Sequence, residues 1–223
     1  MFTGIIQAVG GVAALERRAS GARLRLAVPA ALLRHLKLGD SVAVNGCCLT
    51  VAAKTRGGFA ADLSAETLAR TTLAAFRPGQ RVSLEPALRY GDPLGGHLLQ
   101  GHVEGTGRFV TFEPGGMLRI EVPAALRRYV VLKGSLAVDG VSLTVATLRG
   151  RDIGIALIPH TLRHTHLKTL AAGDRVNLET DPLARHLERL LQRRDARSAA
   201  APPSTTAAAP PALTLATLRQ QGF

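Results

Sequence analysis

The sequence predicts an all-β fold of two similar Greek-key barrels in tandem, each of about six strands, followed by one C-terminal α-helix. Three observations lead to this prediction: an internal repeat, short alternating apolar and polar segments within each copy, and leucines at helical spacing after the second copy. A chain of 223 residues is long enough for two domains of roughly 90 to 100 residues, each able to bury its own core.

The internal repeat has a constant offset of 94 residues over most of its length. Residues 45–51 read NGCCLTV, and residues 139–145 read DGVSLTV. Between Leu24 and Glu85, 27 of the 62 positions carry the same residue as the position 94 later, which random matching does not give. The chain is therefore a tandem duplication.

Each copy shows the pattern of antiparallel strands. In residues 1–85, short segments of alternating apolar and polar residues are separated by Gly, Pro, Asn and Asp. Residues 29–40 (PAALLRHLKLGD) predict a helix instead, because proline stands at its start and glycine follows its last apolar residue. A second short helical or turn segment is expected at residues 65–76. Short strands of this number favour a closed Greek-key barrel, since closure removes exposed sheet edges.

A turn-rich linker at residues 86–96 joins the second copy to the first. The second copy opens with HLLQGHVEGTG, in which residues 101–103 take the place of residues 4–6 at an offset of 97. We therefore predict a first barrel at residues 1–96 and a second barrel at residues 97–181.

After Asp181 the pattern becomes helical. One apolar stripe is formed by Leu183, Leu187, Leu190 and Leu191. Because both barrels are complete without this stripe, an oligomer interface is the most economical surface to bury it, and we predict an oligomerisation helix at residues 182–197. A disordered tail is predicted at residues 198–223, because a segment rich in Ala, Pro, Ser and Thr cannot build a core.

The composition argues against several classes of protein. The net charge of +12 comes from scattered basic residues, and aromatic residues make up only 4% of the chain, so the stacking side chains of a single-strand nucleic-acid binder are missing. Neither a signal-peptide pattern nor an apolar run of about 18 residues is found, which predicts a cytoplasmic protein without a membrane partner. Adjacent Cys47 and Cys48 fit neither a disulfide framework nor zinc-ligand spacing. No nucleotide-binding motif is found, and no cofactor is expected.

The two copies carry different polar residues at matched positions, which predicts two unequal pockets. The differing pairs are Cys48 and Ser142, Asn45 and Asp139, Gly39 and Lys133, Asp62 and Ala156, and Glu66 and His160. Pockets that are alike in shape but different in polar groups suit two molecules of one ligand used in different roles.

The strongest candidate for general acid or base chemistry is His102. An imidazole titrates near neutrality, and the adjacent Gly101 allows a ligand to come close. The alternative is that His102 and the nearby His97 are satisfied structural histidines.

Two further candidates have equally plain structural alternatives. Cys48 is either a small core residue or a pocket thiol, and Lys133 either complements a helix end or faces a ligand. The cluster of His160, His164 and His166 lacks a cysteine or carboxylate to complete a metal site, so no metal is expected.

Five motifs stand at matched places of the duplication: MFTGIIQ at the start, NGCCLTV in the first copy, GGHLLQGHVEG at the junction, and KGSLAVDGVSLTV and LIPHTL in the second copy. With these motifs the chain resembles the riboflavin synthase family of lumazine-binding proteins over residues 1 to about 195. It departs from the family pattern at Glu104, where aspartate is common, at His186, where an aromatic residue is usual, and at Pro86.

The resemblance implies two six-stranded Greek-key barrels and a homotrimer held by the C-terminal helix. It implies an active site between the first barrel of one subunit and the second barrel of its neighbour. The implied reaction is the dismutation of two molecules of 6,7-dimethyl-8-ribityllumazine by four-carbon transfer, without cofactor or metal, giving riboflavin and 5-amino-6-(D-ribitylamino)uracil. Association with lumazine synthase is a further expectation that comes from the resemblance alone.

The family's ligand contacts, carried over motif by motif, imply two groups of substrate-binding residues. One lumazine would be surrounded by Gly4, Ile5, Ile6, Cys48, Leu49, Thr50, Asp62, Leu63, Ser64, Ala65, Glu66, Thr67, Gly101, His102 and Val103. The other would be surrounded by Lys133, Ser142, Leu143, Thr144, Ala156, Leu157, Ile158, Pro159, His160 and Thr161.

Five of the residues are expected to take part in catalysis. We expect His102 to transfer a proton, and Cys48 or Ser142 to assist at C7 of the lumazine as nucleophile or hydrogen-bond partner. Lys133 and Asp139 are expected to position the substrate.

Two other functions remain alternatives. A non-catalytic lumazine- or flavin-binding protein of the same fold would lose second-half motifs, whereas SLTV, Lys133 and His102 are intact here. A nucleic-acid binder built on small barrels would need stacking aromatic residues on its strands.

Overall fold

A computed structural model describes the backbone of residues 1–200 and the side chains of residues 1–193. One compact unit, Met1–Arg185, contains both sheets, and a second unit begins at His186. The prediction of an all-β tandem fold with a C-terminal helix is confirmed within these residues. The second copy forms a closed six-stranded barrel, and the first copy forms a seven-stranded sheet, which we call the first barrel.

The first sheet is antiparallel, with the order β4-β3-β7-β1-β2-β6-β5. Its strands are β1 (Ala8–Arg18), β2 (Gly21–Ala27), β3 (Ser41–Val44), β4 (Cys47–Thr50), β5 (Ala53–Thr55), β6 (Gly58–Ser64) and β7 (Arg81–Pro86). Helix α1 (Ala30–Leu33), helix α2 (Ala65–Arg70) and the 3-10 helix Thr72–Ala75 connect them.

The second sheet is a closed six-stranded barrel with the order β10-β11-β12-β9-β8-β13. Its strands are β8 (Gly105–Glu113), β9 (Met117–Glu121), β10 (Ser135–Val138), β11 (Val141–Arg149), β12 (Asp152–Ala156) and β13 (Arg175–Thr180). The connecting helices are α3 (Ala124–Arg127), α4 (Pro159–His164) and the 3-10 helix His166–Thr169.

The seventh strand of the first sheet results from one interruption. Strand β11 has a β-bulge between Val145 and Thr147, which opens the ladder but leaves the strand continuous. At the matching place of the first copy, the chain leaves regular strand geometry after Thr50 and resumes it at Ala53. Strands β4 and β5 therefore correspond together to β11.

The helix predicted at residues 29–40 is wrong in its length, since α1 ends at Leu33. The following residues form tighter turns, in which the His35 amide donates to the Leu32 carbonyl. The chain then reverses at Gly39, with φ at 85°, to enter β3. This reversal limits a segment that has good helix formers throughout. The helical segment predicted at residues 65–76 is confirmed as α2 and the 3-10 helix that follows it.

Helix α5 (Pro182–Ala200) begins where the sequence predicts it. Its four stripe leucines are between 57% and 62% exposed, and their role in assembly stays a prediction. Most of the predicted disordered tail, residues 201–223, lies outside the described residues. Among the helices of residues 1–200, none combines the length and apolar character required to cross a membrane.

Each sheet encloses its own apolar core, and a third, smaller cluster joins the two barrels. This cluster contains Phe2, Ala43, Leu99 and Ala137. The amide of Phe2 donates to the Leu99 carbonyl at 2.8 Å, and the Leu99 amide donates back to Phe2 at 3.0 Å. The segments that open the two copies thus pair with each other between the barrels.

Candidate functional site

The segment that opens the first copy bridges the two barrels. Thr3 donates to Glu85 on β7 from its amide at 2.6 Å and from its hydroxyl at 2.7 Å, and the Gly4 amide donates to the same carboxylate at 3.0 Å. The Gly4 carbonyl accepts a hydrogen bond from the amide of Ser142 at 2.8 Å. The segment is therefore held by a carboxylate of the first barrel and lies against strand β11 of the second.

The segment that opens the second copy makes the reciprocal crossing. The amides of Gln100 and Gly101 donate to Glu179 on β13 at 2.7 and 3.0 Å. The Gly101 carbonyl accepts from the amide of Cys48 on β4 at 2.9 Å. The two barrels are thus related by an approximate twofold arrangement in which each opening segment pairs with a matched strand of the other barrel, β11 for the first segment and β4 for the second.

This crossing corrects the expected grouping of ligand contacts. Gly4 lies beside Ser142 and not beside Cys48, because the carbonyl of Gly4 pairs with β11. The residue beside Cys48 is Gly101. We call the surroundings of these two pairs the Cys48 site and the Ser142 site.

The two bridging glycines cannot be replaced without displacing the site residues. Gly4 and Gly101 have φ of 75° and 78°, a region that favours glycine. A Cβ at Gly101 would lie 2.6 Å from the Cβ of Cys48, and one at Gly4 would lie 2.5 Å from the Cβ of Ser142. Both sites therefore depend on the backbone passing within contact distance of the candidate side chain.

The two carboxylates that hold the opening segments are buried. Burial raises the pKa of Glu85, and the hydrogen bonds from Thr3 and Gly4 oppose this rise. Burial likewise raises the pKa of Glu179, against the hydrogen bonds from Gln100 and Gly101. Such carboxylates fix backbone geometry at both sites.

The Cys48 site opens into a cavity of about 590 Å³. Six of the expected ligand contacts line it: Cys48, Glu66, Thr67, Gly101, His102 and Val103. The second barrel supplies another wall with Leu126 of helix α3 and Tyr129, which follows that helix, and Arg185 of helix α5 adds to the lining. The cavity thus combines a thiol, an exposed imidazole and an apolar wall.

The other residues expected around the first lumazine do not line this cavity. Leu49 and Leu63 are buried in the core of the first barrel, because inward-facing positions alternate along β4 and β6. Thr50 and Ser64 are exposed on the outer face, and the Asp62 carboxylate is paired with Arg18 at 3.2 Å.

The Ser142 site contains a histidine contact that the sequence did not single out. The Nδ1 atom of His97 lies 2.6 Å from the Ser142 hydroxyl. His97 is only 9% exposed, and its Nε2 atom has no hydrogen-bond partner among the described residues. Burial lowers the pKa of His97, and the charge of Asp181 opposes this effect.

The remaining residues of the second expected group are distributed as in the first copy. Leu143 and Leu157 are buried in the second core, whereas Thr144, Ala156, Ile158, Pro159 and His160 are exposed and Thr161 is half-buried. Lys133 is exposed and has φ of 63°, a left-handed conformation that is uncommon for a residue other than glycine. Its position matches Gly39, where φ is 85°.

The structure does not bring Asp139 to either candidate site. Its carboxylate accepts the Asn177 amide at 2.7 Å and contacts His166 Nε2 at 3.0 Å. On its other ring nitrogen, His166 contacts the hydroxyl of Ser83 at 2.9 Å. Asp139 is therefore part of a buried polar network where the barrels meet.

A family model described as the lumazine binding domain matches residues 3–87 and 100–181. The chain belongs to the lumazine-binding domain family. The two matched ranges contain the two sheets, so each copy of the duplication is one lumazine-binding domain.

Relatives of this lumazine-binding chain include three bacterial riboflavin synthases. The enzyme of Mycobacterium tuberculosis is 47% identical over 86% of this chain and 98% of its own length. That of Photobacterium phosphoreum is 40% identical over 86% and 89%, and that of Bacillus subtilis is 36% identical over 86% and 91%.

The fold is also similar to solved structures of LumP. LumP complexed with riboflavin superposes with a TM-score of 0.75 at 28% identity and covers 81% of this chain and 99% of its own. LumP complexed with 6,7-dimethyl-8-(1'-D-ribityl) lumazine gives a TM-score of 0.73 at 26% identity with the same coverage. These neighbours agree with the fold of the two sheets described above.

Proposed function

We propose that this lumazine-binding chain is an enzyme with riboflavin synthase activity, a transferase that performs the last step of riboflavin biosynthesis. One molecule of 6,7-dimethyl-8-ribityllumazine would transfer a four-carbon unit to a second, giving riboflavin and 5-amino-6-(D-ribitylamino)uracil. The observation that carries this proposal is the 47% identity to a riboflavin synthase over 86% of the chain, together with two unequal sites on matched scaffolds.

The reaction needs two binding sites for one type of molecule, and the duplicated fold offers two. In both sites a glycine carbonyl accepts a hydrogen bond from the amide of the candidate residue, Gly101 from Cys48 and Gly4 from Ser142. The side chains differ, with a thiol beside an exposed imidazole in one site and a hydroxyl beside a buried imidazole in the other. This difference suits two molecules of the same lumazine, of which one donates the four-carbon unit and the other accepts it.

The chemistry that these residues must assist is mild. The C7-methyl protons of the lumazine are acidic because the resulting anion delocalises into the pteridine ring, so a weak base is sufficient. Holding the two ring systems in a productive orientation supplies much of the remaining acceleration. We assign His102 to proton transfer in the Cys48 site, and Cys48 and Ser142 to contacts at C7.

Lys133 is assigned to the second site. A left-handed backbone at an exposed lysine costs about 1 kcal/mol or more, and a role toward the substrate explains why glycine does not stand there. Asp139 is reassigned from the substrate to the contact between the barrels, where its two oxygens are already engaged.

Several proposals concern assembly. Thr50, Ser64 and Ile158 are expected ligand contacts, yet they are exposed in the single chain, so a neighbouring subunit would be needed to enclose the substrate. A homotrimer assembled through helix α5 would meet this need. As part of the proposed role in riboflavin biosynthesis, we also propose association with lumazine synthase and a cytoplasmic location.

The proposal is tested by incubating the purified protein with 6,7-dimethyl-8-ribityllumazine and quantifying substrate and riboflavin. The expected result is one mole of riboflavin for every two moles of substrate consumed. His102→Ala should lower turnover by about 10²-fold, whereas His35→Ala, at an exposed histidine that lies outside both sites, should leave it unchanged. Saturable binding without turnover would replace the enzyme with a lumazine-carrying protein of the same fold.

A further inference from the structure

The two sites differ in how an imidazole stands to the candidate side chain. In the Ser142 site, the buried ring of His97 contacts the serine hydroxyl directly, with Nδ1 at 2.6 Å from the oxygen. In the Cys48 site, the imidazole that lines the cavity belongs to the exposed His102.

His97 is fixed from two directions. Its backbone amide donates to the Thr3 carbonyl at 3.1 Å, and its Nδ1 atom meets the Ser142 hydroxyl at 2.6 Å. The preceding Gly96 leaves no space for a side chain, since a Cβ there would lie 2.9 Å from the Ser142 hydroxyl oxygen and closer still to Thr3. The ring is thus held against Ser142 by its own backbone and by the opening segment of the first copy.

The His97 ring is held in the neutral form, which can accept a proton. Burial lowers the pKa of His97, which favours the neutral ring at neutral pH. A neutral ring whose Nδ1 accepts the serine hydrogen carries its own hydrogen on Nε2, and that atom is buried without a partner. A buried donor without a partner lowers stability, which points to a function that keeps it. When Nδ1 takes up a proton, the charge of Asp181 favours the cation.

We propose that His97 is a positioning residue that acts through Ser142 and makes the Ser142 site the basic half of the catalytic pair. This inference rests on the proposed riboflavin synthase activity. As the serine oxygen takes a C7-methyl proton, its own proton passes to Nδ1 of His97. A C–H and an O–H bond break, an O–H and an N–H bond form, and the electron pair stays on the lumazine as its delocalised anion. The proton returns by the reverse path.

The test is a double-mutant cycle on turnover. His97→Asn places an amide near the Nδ1 position, keeps a hydrogen bond to Ser142, and cannot take up a proton. We expect kcat to fall by about 10²-fold with KM nearly unchanged. In a Ser142→Ala background the same change should cost nothing further, whereas in a Cys48→Ala background it should cost the full factor.

The outcomes separate this inference from the proposed function. Riboflavin formation by the unaltered chain establishes the activity whatever His97 does. If His97→Asn keeps kcat within about threefold of the unaltered chain, or loses the same factor with and without Ser142, the positioning role is overturned. His97→Gln is the second variant if the first fails to fold, and circular dichroism with a lumazine titration shows that each variant is folded and binds.

Discussion

Replacing Gly101 by alanine tests whether the backbone crossing defines the Cys48 site. The new Cβ would lie 2.6 Å from the Cβ of Cys48 and 2.9 Å from the ring of Phe2. The left-handed conformation, with φ of 78°, costs about 1 to 2 kcal/mol for a residue with a side chain. Overpacking against a buried neighbour adds about 1 to 3 kcal/mol. The free energy of unfolding should therefore fall by about 2 to 5 kcal/mol.

Gly79→Ala is the matched control. Gly79 has φ of 85°, and a Cβ there would meet nothing within 4 Å, so only the conformational cost of about 1 to 2 kcal/mol applies. Any gain from a stiffer unfolded chain is the same in both variants. The difference between the two variants isolates the contact with Cys48.

The chain has no tryptophan, so unfolding is best followed by far-ultraviolet circular dichroism in urea. Binding of 6,7-dimethyl-8-ribityllumazine by equilibrium dialysis completes the assay. Gly101→Ala should bind more weakly than Gly79→Ala, because Cys48 must move to admit the new methyl group. Equal unfolding free energies for the two variants would refute the reasoning, since the Cβ contact would then impose no constraint.

Three further predictions concern the groups around the two sites. A thiol reagent should modify the half-exposed Cys48 and spare Cys47, because burial raises the pKa of Cys47 to about 12. Mass spectrometry of the labelled peptide checks this prediction, and labelling of both cysteines would contradict it. Because burial raises the pKa of Glu179 above 4.5, its stabilising contribution is complete below about pH 4.5 and declines as the pH rises through the raised pKa. The stability advantage of the unaltered chain over Glu179→Gln should accordingly shrink as the pH rises above 4.5 in urea titrations, and an advantage that grows with pH would show the opposite linkage. Lys133→Gly should raise the unfolding free energy by about 1 kcal/mol by relieving the left-handed backbone, while lowering kcat; unchanged kcat would remove Lys133 from the site.

The fold was largely predictable because the duplication supplies long-range information that a single pattern lacks. Identity at a fixed offset shows that the second copy repeats the first, and strand periodicity then applies to both. The helix at residues 29–40 was predicted too long, since residue preferences are local whereas the turn at Gly39 is set by entry into strand β3.

The composition of each site was less predictable for a physical reason. The Cys48 cavity does contain His102 and Thr67, which the motifs suggested. Gly4 lies beside Ser142 because the opening segment of the first copy pairs with the second barrel. The residues of that segment would equally fit pairing with the first barrel, so the sequence alone does not decide between the two. The contact of His97 with Ser142 joins residues 45 positions apart, and the local pattern around either residue does not predict it.

Differences between the copies arise from two separate physical causes, and only one of them is function. Asn45 and Asp139 occupy matched positions, and each accepts a matched backbone amide on its own barrel, from Ser83 at 2.8 Å and from Asn177 at 2.7 Å. Their remaining atoms meet at one histidine, with His166 Nε2 lying 3.4 Å from the Asn45 amide nitrogen and 3.0 Å from the Asp139 carboxylate.

An identical pair at this contact would be unfavourable. Two aspartates would place two buried carboxylates at one imidazole, where both cannot be ionised at low cost. Two asparagines would leave the histidine without its carboxylate. The difference between Asn45 and Asp139 therefore follows from the approximate twofold contact between the barrels. The difference between Cys48 and Ser142 occurs elsewhere, where Cys48 adjoins a cavity and Ser142 adjoins the buried ring of His97. In a duplicated fold, a difference between copies indicates function when the matched residues lie apart, each in its own site, and indicates packing when they meet.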